Sequence, residues 1–272
     1  MKKLQLSIFA LVIAFTFSCK NNEAAKEESQ SETVTETENQ EVKTEKISLT
    51  PLEGSPAYAD SKLMLDGDAM IQVDSGENTF NFEVENYELG IQTPNAGDNG
   101  LANSAKGQHI HVIMDNQPYS AHYSTEVKKD ITEGDHVMLA FLSRSYHESV
   151  KNADAVVVKK ITAGNPADSL KMDVDLAAPH LFYSRPKGTY TGEDVNKVLL
   201  DFYLVNTEIS EDGNKVLATI NGEEFTITEW QPYVMEGLPL GENTIELQLV
   251  DKDNQPIEGP FNYVKRSVML EK

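Results

Sequence analysis

The chain has one cysteine in 272 residues, Cys19. No intramolecular disulfide can form, and a cysteine-ligated metal site is excluded unless subunits share it. Arginine is almost as scarce, with only Arg144, Arg185 and Arg266, and the 23 Lys+Arg face 44 Asp+Glu. An excess of negative charge on this scale leaves no surface that would release counterions, so nucleic acid is not an expected partner. It favours solubility, metal cations or basic partners. Sustained helical periodicity is absent, and after residue 17 no apolar run is long enough to cross a bilayer. A Ser-His-Asp order, a nucleophile elbow, a phosphate-binding glycine loop and a His-Glu-x-x-His pattern are also missing. The expectation is a protein that is not an enzyme.

What is present begins with an address. Met1-Lys2-Lys3 is a positive n-region, Leu4 to Phe17 an apolar h-region, and Ser18-Cys19 closes it. The stretch is too short for a spanning helix and ends at a small residue, as a secretory signal does. A small residue before the sole cysteine resembles a bacterial lipoprotein signal. That resemblance implies cleavage after residue 18, lipidation of Cys19, and anchoring to the outer membrane on its periplasmic or external face. Residues 19–50 are dominated by Glu, Thr, Ser, Asn, Gln and Lys. Such a stretch buries too little to offset its ordering entropy, so a flexible acidic linker is expected.

Beyond it the pattern is all β. Phe80, Phe82 and Val84 alternate with polar residues at period two, as do Ile245, Leu247 and Leu249. Residues 90–107 form a loop longer than a core requires, and such loops are uncommon unless functional. The chain also repeats itself. Phe82, Val84 and Asn86 match Phe202, Leu204 and Asn206; Gly134 matches Gly241; and the strand from Gln108 to Asp115 matches one near Lys215 to Asn221. Asn221-Gly222 is a type I′ hairpin signal. These features predict two tandem immunoglobulin-like β-sandwich modules, residues 58–163 and 168–270.

Histidine is the composition's asymmetry: His109, His111, His122, His136 and His147 lie in the first half, and only His180 in the second. His109 and His111, two apart on a strand, share a face. His109, His111, His122 and His136 are candidate ligands for copper or zinc, and Met138, on the His136 face, would favour copper. The matching positions are Lys215 and Leu217; with Leu217 read as inward, His111 is expected partly to face the core. A second candidate set is anionic in taste. Arg144, Tyr146 and His147, and Arg185 with Lys187, place forked or point cations beside hydroxyls that suit a carboxylate or phosphate.

The segments Gly107-Gln108-His109-Ile110-His111, Gly134-Asp135-His136-Val137-Met138, Ser143-Arg144-Ser145-Tyr146-His147-Glu148 and Ser184-Arg185-Pro186-Lys187-Gly188 resemble an uncharacterised envelope lipoprotein family of Bacteroidota. Some of its members carry a phosphopeptide-binding label. The first half also resembles a histidine-containing periplasmic domain of unknown function. The resemblance implies a lipid-anchored protein that binds a protein or peptide partner or an anionic ligand. The alternative is an envelope metal-binding protein.

Overall fold

A computed structural model of the chain describes residues 46–272. The expected signal sequence, Cys19 and most of the expected acidic linker lie outside the described residues. The strands are β1 (Ser48–Pro51), β2 (Lys62–Leu65), β3 (Met70–Val73), β4 (Gly76–Glu85), β5 (His109–Met114), β6 (Ser120–His122), β7 (Glu126–Ile131), β8 (Gly134–Ser143) and β9 (Val156–Ala163). They continue as β10 (His180–Arg185), β11 (Thr189–Thr191), β12 (Val198–Val205), β13 (Lys215–Ile220), β14 (Glu223–Ile227), β15 (Tyr233–Glu236), β16 (Gly241–Val250) and β17 (Tyr263–Glu271). Two short 3-10 turns, at Asp168–Leu170 and Gly192–Val195, complete the regular structure.

The sheets come as two pairs. The first pairs β2-β4-β7 with β3-β9-β8-β5-β6; the second pairs β1-β15-β12-β10 with β11-β17-β16-β13-β14. Apart from β1, the second pair has the strand order of the first, each strand being the eighth along. Each pair also closes a five-stranded sheet with one short parallel strand, β3 on β9 and β11 on β17. The internal repeat is therefore a repeat of topology. At the β13–β14 turn Asn221 and Gly222 both have positive φ, at 50° and 88°, as a type I′ hairpin requires.

Each pair encloses its own core. Leu63, Phe80, Phe82, Ile110, Met138, Ala140 and Leu142 lie in the first, and Leu200, Phe202, Val216, Ala218, Leu247 and Leu249 in the second. A third layer joins the two. Ile113, Val137, Leu139 and Phe141, on the outer face of β5 and β8, pack against Phe182 and Tyr203 of β10 and β12. Buried apolar side chains of this size each contribute roughly 1.5–3 kcal/mol, so this layer holds the halves together. Asn116 adds a polar clamp, donating to the carbonyls of Leu181 and Phe261 and accepting from the Tyr183 amide. The described residues accordingly fall in one compact unit, an all-β assembly of two fused sheet pairs.

One boundary moves. The linker expected to run to residue 50 ends sooner, because β1 adds to β15 in register from Ser48↔Glu236 to Pro51↔Tyr233. Ile47 and Leu49 pack on the second core, and these apolar residues stabilise a stretch whose neighbours are polar.

Candidate metal centre

His109 and His111 leave the outer face of β5, opposite Ser143 and Phe141 of β8. They point away from their own core into the layer between the halves, and both are fully buried. Leu217, the counterpart of His111, lies on the partly exposed face of β13, while Val216, Ala218 and Ile220 face inward. His111 thus faces a core, but the shared one.

His147 completes the cluster from the turn after β8. That turn is closed by Arg144 N–H to the Glu148 carbonyl and His147 N–H to the Arg144 carbonyl, both 2.9 Å. It is braced by the Arg144–Glu148 ion pair at 2.9 Å. His147 adopts φ 71°, a left-handed conformation uncommon outside glycine, though histidine takes it more readily than most residues. The 90–107 loop holds the turn from outside. Thr93 and Ser145 exchange two bonds, amide to hydroxyl each way, and the Ser104 amide donates to the Ser145 carbonyl. The loop is therefore a bracket for the histidine turn.

Three ring nitrogens converge. His109 Nε2 lies 2.8 Å from His111 Nε2 and 3.2 Å from His147 Nδ1, and His147 Nδ1 lies 3.5 Å from His111 Nε2. Nitrogens bound at 2.0–2.1 Å to one tetrahedral ion stand about 3.3 Å apart, and the three distances bracket that value. His109 Nδ1 is 2.8 Å from the Gly107 carbonyl. A carbonyl only accepts, so the proton belongs on Nδ1 and the lone pair of Nε2 faces its neighbours. This is the orientation that backbone partners commonly impose on metal-ligating histidines. His111 is held by stacking, 3.5 Å from the Tyr119 ring centroid. The Tyr119 hydroxyl is 3.3 Å from His147 Nδ1.

Electrostatics keep the rings neutral. Burial pushes His109 down to about 4 and His111 well below the ordinary histidine value. Burial also lowers His147, helped by the nearby Arg185. Neutral imidazole is the ligating form.

The other expected ligands are elsewhere. His122 pairs with Ile110, so it lies on the opposite face of the sheet, beside the Ser120 hydroxyl. His136 binds Asp115 at 2.6 Å, beyond the end of β5. Met138 is wholly buried in the first core, so no thioether reaches the cluster.

The anion candidates divide. Arg144 spends its donors on the carbonyls of Pro56 and Ser149 and on Glu148. Tyr146 donates to Ser55 and lines a surface pocket with Glu53 and Asp98, acidic company that repels an anion. His147 belongs to the histidine cluster, while Arg185 and Lys187 lie close to Tyr119.

No family model and no curated protein matches the chain. Among solved structures it is similar to the fibronectin(III)-like modules of Clostridium thermocellum CbhA, at 10% identity and TM-score 0.27, covering 77% of this chain and 94% of that one. It is also similar to the mixed-linkage glucan utilization locus protein SGBP-B of Bacteroides ovatus, at 7% identity and TM-score 0.25, covering 77% and 70%.

Proposed function

We propose that the protein is a metal-binding protein of the bacterial envelope, holding one zinc or copper ion on His109, His111 and His147. The supporting observation is the meeting of three neutral imidazoles on one point, His109 and His111 fully buried and His147 partly so, with ligand atoms within 4.8 Å of one another. Nitrogen donors suit both metals, and with Met138 in the core nothing in the donor set favours copper over zinc. Three protein ligands leave a fourth position of a tetrahedral ion to a small molecule. The role is binding rather than turnover, and the address rests on the signal-like N-terminus and Cys19.

Metal analysis of protein made without a histidine tag tests this. The wild type is to hold one equivalent of zinc or copper. His109→Ala/His111→Ala and His147→Ala are each to lose it, whereas His122→Ala and His136→Ala keep it. A wild type that stays metal-free after supplementation with both ions would sink the reading.

A further inference from the structure

Buried and partly buried cations among the described residues normally have company. Arg144 pairs with Glu148, Lys160 with Asp135 and Lys151 with Asp201, and Lys159 donates to the carbonyls of Gly67 and Asp68. Arg185 departs from this pattern. It is only 8% exposed, yet no carboxylate forms an ion pair with it among the described residues; Asp201, opposite it on β12, is taken up by Lys151 and Ser149. Its Nη1 donates to the Tyr190 hydroxyl at 2.8 Å, and its Nε is buried with no partner. Arg266 behaves alike: Nη2 donates to the Asn116 carbonyl at 2.8 Å, and Nη1 is buried without a partner. Its Cζ lies 4.3 Å from the Tyr183 ring, whose hydroxyl is also buried and unpartnered.

Lys187 brings a third charge to the same place. Its Nζ donates to the Tyr119 carbonyl at 2.7 Å and sits 3.8 Å from the centroid of that ring, with Arg185 Cζ 5.4 Å from the same centroid. Burial, then Arg185 and then Arg266, lower Lys187 to about 8, as expected where three cations crowd together. Two guanidinium groups and an ammonium, partly removed from water with idle donors, are costly without a counter-charge. A guanidinium fork matches an oxyanion in both charge and shape.

We propose that Arg185, Lys187 and Arg266, with the Tyr183 hydroxyl, bind a single small oxyanion, a phosphate, sulfate or carboxylate group, behind Tyr119 and separate from the histidine cluster. Lys187, half-exposed, stands at the entrance. His111 and Lys187 both lie under 4 Å from the Tyr119 centroid, so they occupy its opposite faces and the ring divides the two sites.

Equilibrium dialysis of the tag-free chain against labelled inorganic phosphate, with sulfate and acetate as competitors, provides the test. One saturable equivalent is expected for at least one of the three ions. Arg185→Gln and Arg266→Gln are each to weaken it at least tenfold, and the exposed Lys62→Gln is to leave it unchanged. Should either arginine variant fail to fold by circular dichroism, Lys187→Gln takes its place with the same expected loss. A short phosphorylated peptide run in parallel distinguishes sources: tighter binding than phosphate assigns the group to a peptide, equal or weaker binding to a free ion. His109→Ala/His111→Ala is to retain the anion, which keeps this result apart from the metal reading. Absence of saturable binding by all three ions, undiminished affinity in the arginine variants, or loss of the anion along with the histidines overturns the proposal.

Discussion

The two sheet pairs run the same strand order, and their registers superpose residue by residue. His111 opposes Phe141 in the first as Leu217 opposes Gln248 in the second, and His109 opposes Ser143 as Lys215 opposes Val250. The turns after β8 and β16 match as well. Arg144 N–H to the Glu148 carbonyl and His147 N–H to the Arg144 carbonyl reappear as Asp251 to Gln255 and Asn254 to Asp251. The left-handed residue is His147 in one and Asn254, φ 59°, in the other. All three histidines thus occupy positions that the second half fills with Lys215, Leu217 and Asn254. The duplicated fold supplies the places, and the chemistry depends on which face is covered. On β8 the outer face reads Val137, Leu139, Phe141 and is sealed by β10 and β12; on β16 it reads Thr244, Glu246, Gln248, each partly exposed. Only the sealed face can hold imidazoles dry, neutral and fixed in orientation.

The sharpest break in the comparison comes from truncating the matched pair Leu139 and Glu246. Leu139 is fully buried in the shared layer, and Leu139→Ala is expected to cost about 2–5 kcal/mol in urea denaturation. Glu246 makes exposed contacts to Lys265 and Tyr263, and such surface pairs contribute little. Glu246→Ala should leave the midpoint almost where it was. Equal effects would mean that the outer faces do not differ as described.

Acidity probes the same contrast less violently. His109 titrates near 4 when folded, against about 6.5 unfolded, and His111 and His147 shift in the same direction. The folded metal-free protein therefore binds fewer protons than the unfolded chain below about pH 6.5. Stability is whole above that pH and falls as pH drops toward 4, by about 1.4 kcal/mol per unit for each group. The triple variant His109→Gln/His111→Leu/His147→Asn, which removes these groups, should show a flatter dependence between pH 6.5 and 4 by urea midpoints. Parallel curves for the two proteins would contradict the assignment of buried neutral rings.

Much of this was legible in the chain. The repeat showed in Gly134 with Gly241 and in Phe82 with Phe202, because strand periodicity and turn glycines are local signals. The covered face was not, since alternation identifies two faces without saying which is dry. A hint lay in Val137-Met138-Leu139-Ala140-Phe141-Leu142, an unbroken apolar run of the kind found in strands buried on both sides. Leu217 looked inward because leucine usually is, yet its strand buries the residues on either side of it. The sequence groups His147 with the arginines because a turn has no periodicity; its metal-side signal is its equivalence to Asn254, visible only once the turns are superposed. Arg144 invited a ligand because its partner Glu148, four residues on, closes a turn that the sequence does not display.

The smallest effect tests whether position alone makes the site. Lys215→His/Leu217→His/Asn254→His copies the three histidines onto the second half, at the same register and the same left-handed turn. The outer face of β13 remains partly exposed, so the transplanted rings keep their hydration and rotamer freedom, and the ordering that burial imposes on His109 and His111 must be supplied by the metal itself. Exposed imidazoles also compete with protons at their ordinary value near 6.5. The transplant, made in a chain already lacking His109 and His111, should bind zinc at least about a hundredfold more weakly than the native site and release it between pH 7 and 6 in a chelator competition. Native-like affinity there would show that the covering half is dispensable, and that three positions in a duplicated sandwich suffice.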